Sequence, residues 1–179
     1  MPAPAGHLAT VAAAIVLVWA GLVHAGGKPD SLFHIDRNKN RHQVHYGITI
    51  DEACRPVGDE PLYNYWLRRD AEKQTTRPLK MFQQMAYGFQ SQTVAADGRI
   101  EARLRAFPER LLTVRAASAG KGKPCKAEAF MTIDGKEAFL EKVFVFAEEG
   151  LLLPTVRYVE LYGRSNEGHT VYEKITVNE

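Results

Sequence analysis

From Phe33 to Ile50 the chain alternates apolar and polar residues on either side of a short polar run, a pattern that a β-hairpin satisfies and a helix does not. Phe33, Ile35 and Arg37 fall on one face of the first strand, and Val44, Tyr46, Ile48 and Ile50 share a face of the second. A loop of two or four residues within Asn38-Lys39-Asn40-Arg41 pairs Ile35 with Val44 and Phe33 with Tyr46, so both apolar sets turn inward together. A three-residue loop would set them on opposite faces. The same register puts His34 opposite His45 on the outer face, with Asp36 one step along.

Ahead of this hairpin, Leu8 to Val23 is apolar throughout and runs into Val23-His24-Ala25, a small-residue cleavage pattern. Residues 1–25 therefore read as a cleaved signal peptide and 26–179 as a single β-rich domain, periplasmic or secreted. The apolar run is short for a membrane span, which takes about 20 residues. No Lys or Arg precedes it, a departure from the usual export pattern, and an uncleaved anchor is the competing reading. Cys54 and Cys125 are the only cysteines. In an oxidising compartment an even pair suggests one disulfide, set against two unrelated thiols.

The remaining segments read mostly as short strands between turn signals. Leu62 to Arg69 carries aromatics on both faces, and a helix over about Arg77 to Tyr87 supplies cover, with Thr75 or Thr76 as its cap, Pro78 in its first turn and Leu79, Phe82 and Ala86 as a core stripe. Asp134-Gly135 is the strongest short hairpin signal. The fold class is mainly β: about ten antiparallel strands in a barrel-like or curled meander, with one short helix inserted after the third strand.

Charge narrows the functional classes. A net charge of +2 makes no case for nucleic acid. Eight Lys or Arg against two Glu between Arg99 and Lys126 form a basic run suited to an anionic lipid or glycan. In the closing hairpin a four-residue loop pairs Glu160 with Glu173 on the face that also carries Tyr158, Val156, Ile175 and Val177, with Tyr162 beside Val171. Facing carboxylates repel, so a basic partner is needed if that face is inward. Closing a barrel brings the first strand to the last, and Arg37 then meets Glu160 and Glu173 as an internal polar cluster with Tyr158 and Tyr162 near it. His34 and His45 are weak candidates for a transition metal; no cofactor is implied.

The motif Leu32-Phe33-His34-Ile35-Asp36-Arg37-Asn38-Lys39-Asn40 with Val44-His45-Tyr46, Tyr65-Trp66, Ala86-Tyr87-Gly88 and Tyr158-Val159-Glu160-Leu161-Tyr162-Gly163 with Glu173-Lys174-Ile175 resembles a domain-of-unknown-function family of exported bacterial proteins. The resemblance implies a small secreted domain and supplies no activity.

Three functions are compatible with these residues. The first is non-enzymatic binding of a small apolar or amphiphilic ligand in a β-barrel-like interior. The second is an envelope interaction or assembly module using the Arg99–Lys126 surface. The third is a hydrolase using Glu160 and Glu173. An enclosed apolar cavity would support the first, and a filled interior with an exposed aromatic patch the second.

Overall fold

The computed structural model describes residues 31–70, 73–118, 120, 123–148 and 155–177. The apolar segment and its cleavage pattern lie outside them. Eleven strands and one helix follow in the order β1 (Phe33–Arg37), β2 (Asn40–Ile48), β3 (Leu62–Arg69), β4 (Gln74–Arg77), α1 (Met81–Tyr87), β5 (Phe89–Val94), β6 (Ile100–Leu104), β7 (Phe107–Ser118), β8 (Cys125–Ile133), β9 (Lys136–Glu148), β10 (Thr155–Arg164) and β11 (Thr170–Thr176). All the strands belong to one curled, mixed sheet that is not closed into a barrel.

The opening hairpin has the register its pattern requires: Phe33 pairs with Tyr46, His34 with His45 and Ile35 with Val44, before a bulge leads to Arg37 opposite Asn40. Its apolar side lies at the centre of the core. Phe33 and Tyr46 stack at 4.4 Å, and Phe89 meets Tyr46 edge-on at 5.6 Å. The buried Tyr46 hydroxyl donates to the Tyr87 carbonyl at 2.7 Å. Ile100, Leu104, Leu112, Val114, Ile133, Leu140, Val143 and Leu161 complete this interior, each at most 1–2% exposed; such a side chain contributes roughly 1.5–3 kcal/mol.

The sheet branches at β9. One edge of this long strand pairs antiparallel with β10. The other is shared, with Lys136–Phe139 taken by β8 and Lys142–Val145 by β1. The β1–β9 pairing is parallel, which an all-antiparallel meander did not anticipate, and it separates β1 from β11. Asn38 extends it past the end of β1: its side chain donates to the Ala147 carbonyl at 3.0 Å and accepts from the Ala147 N–H at 3.1 Å. At the opposite seam Gln92 of β5 clasps β3, accepting from the Leu62 N–H at 2.9 Å and donating to the Leu62 carbonyl at 3.0 Å. A side chain thus joins two edges that no strand pairing closes.

The helix differs from expectation. Residues Gln74–Arg77 extend the sheet beside β3, so the helix follows the fourth strand and begins only at Met81. Pro78 lies ahead of it, and the Gln83 side chain accepts from the Lys80 N–H at 2.9 Å to start it. Of the predicted core stripe only Leu79, outside the helix, is buried; Phe82 is exposed.

Turn chemistry accounts for the hairpins. Asp134 and Gly135 both have positive φ, 49° and 73°, the requirement of a type I′ turn. Cys54 and Cys125 form the disulfide, tying the β2–β3 link to the start of β8 across 71 residues. Closing a loop of that length contributes about 4 kcal/mol in the chain-entropy picture.

Candidate functional site

The outer face of β9, β10 and β11 gathers most of the sequence-predicted site residues, in an arrangement different from the expected one. β10 and β11 pair Tyr162 with Tyr172, Glu160 with Lys174 and Leu161 with Glu173. The turn holds three residues, Asn166 to Gly168, with Gly168 at φ 85° and the Gly168 N–H donating to the Ser165 carbonyl. That one-residue difference from a four-residue loop sends Glu160 and Glu173 to opposite faces. Val159 and Leu161 are the inward residues of β10, at 4% and 0% exposure. Tyr158, Glu160 and Tyr162 consequently look outward.

Outward, Glu160 accepts from the Tyr162 hydroxyl at 2.7 Å and the Tyr172 hydroxyl at 3.0 Å, with the Lys174 ammonium at 4.0 Å. The Tyr162 bond above all, then Tyr172 and the nearby lysines, hold the Glu160 carboxyl below its ordinary range. The same bond pushes the Tyr162 phenol up to about 12. Lys174 lies 3.6 Å from the Tyr158 ring centre, and Lys142 lies 4.1 Å from that of Tyr162. Phe146 stacks on Tyr158 at 4.8 Å.

Inward, Glu173 is clamped by Arg110, whose Nη1 and Nη2 donate to the two carboxylate oxygens at 3.1 and 2.6 Å. The Asp134 N–H donates to the same carboxylate at 2.8 Å, and Arg110 Nη1 also donates to the Thr132 carbonyl at 2.8 Å. The basic partner of Glu173 is therefore Arg110, not Arg37. Arg37 lies elsewhere, its guanidinium carbon 4.6 Å from the centre of the Trp66 ring and 5.8 Å from that of Tyr87, with Nη2 donating to Asn40 Oδ1 at 3.1 Å. The internal cluster of Arg37, Glu160 and Glu173 does not form, because β1 pairs with β9 and the closing register places the two glutamates on opposite faces. A hydrolytic pair built from Glu160 and Glu173 loses its geometric basis with it.

His34 and His45 stand opposite each other on the outer side, stacked at 5.3 Å, and Tyr65 stacks on His45 at 5.4 Å. His45 is 5% exposed rather than surface-lying. Its Nε2–H donates to Gln43 Oε1 at 2.9 Å, an orientation set by the Gln43 amide nitrogen donating to Asp36 Oδ1 at 2.6 Å; Nδ1 is bonded to Ser31 Oγ at 2.9 Å. Burial pushes the His34 imidazole below its ordinary value; Lys142 and Arg69 act in the same sense and Asp36 opposes. No cluster of three metal-ligating groups occurs among the described residues.

Where the opening hairpin turn meets β9 lies a groove of about 580 Å³ lined by Asp36, Arg37, Asn38, Asn40, Arg41, Gln43, Arg69, Lys142 and Phe144. Three arginines and one lysine line it with a single carboxylate, Asp36, which already accepts from Gln43 and lies 3.6 Å from His34; of these cations, the Arg37 guanidinium is stacked on Trp66. Phe144 connects the groove to the aromatic face, its ring centre 6.4 Å from that of Tyr158. Arg41 and Arg69 carried no signal in the sequence, since the residues that face them come from distant segments. In the Arg99–Lys126 run, four of the eight cations are ion-paired among the described residues: Arg99 with Glu101, Arg110 with Glu173, Arg115 with Glu137 and Lys126 with Glu128.

Fold and site together define a curled β-sheet domain with a filled interior, whose outward chemistry is a cationic groove continuous with an aromatic face. The family model for a domain of unknown function, DUF4833, matches residues 33–174, and the chain belongs to that family. No curated protein and no solved structure matches the chain. Among the described residues no helix is long and apolar enough to cross a membrane.

Proposed function

We propose that this protein is an exported, non-enzymatic recognition domain that holds an acidic sugar chain in the groove between the opening hairpin and β9. The observation that carries the reading is a groove lined by Arg41, Arg69 and Lys142 whose one carboxylate, Asp36, already accepts from Gln43. Guanidinium groups bind carboxylates and phosphates bidentately. The Phe144 ring offers a flat apolar surface to a pyranose. Export is supported by the disulfide and by the apolar segment at residues 8–23. An interior carrier site finds less support. The core is filled by Phe33, Tyr46 and their neighbours, and each of five clefts formed by described residues opens to solvent.

Titration calorimetry with an acidic oligosaccharide and its neutral, reduced counterpart tests the proposal. The acidic form binds and the neutral form does not, and binding weakens as salt is raised. Arg41→Ala and Arg69→Ala each reduce affinity about tenfold, the value of a lost charge-assisted hydrogen bond of ~1.5 kcal/mol. Equal binding of both oligosaccharides, or an affinity indifferent to both substitutions, refutes the assignment.

A further inference from the structure

We infer that the α1 end of the molecule docks onto an anionic lipid surface, an inference that goes beyond the groove and rests on different residues. Met81, Phe82 and Met85 are 69%, 76% and 65% exposed, three large apolar side chains on a helix of two turns. The helix buries none of its own residues. It is anchored from the other side: Leu79 enters the core ahead of it, the Gln84 amide donates to Asn64 Oδ1 at 3.1 Å, and the Asn64 amide donates to the Tyr87 carbonyl at 3.1 Å. The apolar side chains are therefore not the means by which α1 packs on the sheet.

The start of the same helix, Lys80 and Gln83, lines a cleft of about 220 Å³ with Trp66, Arg68, Arg77 and Pro78. Arg68 is shared with Asp70 at 3.3 Å, whereas Arg77 and Lys80 have no carboxylate partner among the described residues. The first turn of α1 contains no acid. Exposed apolar side chains on a helix whose approach carries Arg77 and Lys80, unpaired among the described residues, match the chemistry of a bilayer interface, where side chains enter the acyl boundary while cations meet phosphates. A second copy is a poorer occupant. A two-fold contact would set this basic cleft against itself, and like charges across an interface oppose association.

The test uses the full chain with vesicles of phosphatidylglycerol and phosphatidylcholine, or of phosphatidylcholine alone, both carrying brominated acyl chains. Phe82→Trp places an indole among the exposed apolar side chains, read after subtracting the unsubstituted protein with its two tryptophans. All the altered positions are exposed, and an unchanged thermal melt confirms that each variant is folded. The added indole is quenched by the anionic vesicles. Arg77→Gln with Lys80→Gln weakens partitioning about 25-fold, on the order of fivefold per charge. An N-terminal segment binding on its own would leave that indole unquenched. Absent quenching, equal quenching by neutral vesicles, or full partitioning of the double variant each overturns the inference. A Phe82-dependent dimer in sedimentation velocity without vesicle binding assigns the face to a second copy instead. Sugar binding in the groove is unaffected by these substitutions, so the two proposals fail separately.

Discussion

Glu173→Gln should lower the stability of the folded protein by about 2 kcal/mol. The wild-type carboxylate is 21% exposed and Arg110 25%, which places this pair between a surface bridge, worth about 0–1 kcal/mol, and a buried one, whose disruption costs about 3–5 kcal/mol. Three hydrogen bonds converge on the carboxylate, two from Arg110 and one from the Asp134 N–H. A glutamine keeps the shape but has one acceptor oxygen, so its amide nitrogen must confront a donor. Urea unfolding of the oxidised protein reads the effect as a midpoint shift of about 1 M for an m-value near 2 kcal/mol/M. The pH dependence carries a defined sign. Arg110 above all, with the Asp134 N–H, holds the Glu173 carboxyl below its ordinary 4.5. Its stabilisation is complete above that value and is lost as pH falls through the lowered folded-state value. Glu173→Gln therefore flattens the acid limb of the stability profile. A double-mutant cycle with Arg110→Gln should show coupling of at least about 1 kcal/mol. Two single variants each within about 0.5 kcal/mol of wild type, or simply additive effects, would show that β11 is held by its apolar contacts and not by this clamp.

Two further outcomes follow from the geometry. Replacing both Cys54 and Cys125 by Ser removes up to about 4 kcal/mol in the chain-entropy picture, measured by chemical denaturation, and a loss below about 1 kcal/mol would contradict the 71-residue closure. Glu160→Gln removes the charged acceptor of the Tyr162 hydroxyl, so the phenol now held up to about 12 titrates nearer 10, visible in phenolate absorbance. Because the raised folded value makes the wild-type protein lose stability as pH rises from 10 to 12, that alkaline loss also shrinks in the variant.

The opening hairpin was legible because two independent apolar sets, Phe33 with Ile35 and Val44 with Tyr46, demand one register. Asp134-Gly135 was legible because few dipeptides accept two left-handed positions in succession. The closing hairpin was not. Val156 and Tyr158 lie on one alternation of β10 and Val159 and Leu161 on the other, so a period of two cannot say which side is inward. A bulge between Val156 and Tyr158 lets residues from both alternations reach the core. The expected helix over Arg77 to Tyr87 starts too early, because β-branched Thr75 and Thr76 continue a sheet edge beside β3 instead of capping it. Neither the parallel β1–β9 pairing nor the pairing of Arg110 with Glu173 has a local signature, since each joins residues far apart in the chain. The cationic groove depends on that same pairing, which brings Lys142 to the hairpin.

The branch at β9 also sets an order of events in time. β5 to β11 are joined as successive hairpins, so their pairings close short loops and form early. β1 is different: His34 to Arg37 must find Lys142 to Val145, more than a hundred residues later in the chain. Loop closure of that length makes the parallel pairing slow relative to the hairpins. A chain synthesised from its N-terminus thus exposes the apolar face of Phe33, Ile35, Val44 and Tyr46 until β9 exists to receive it, and this first-made hairpin is the segment with the longest window for aggregation.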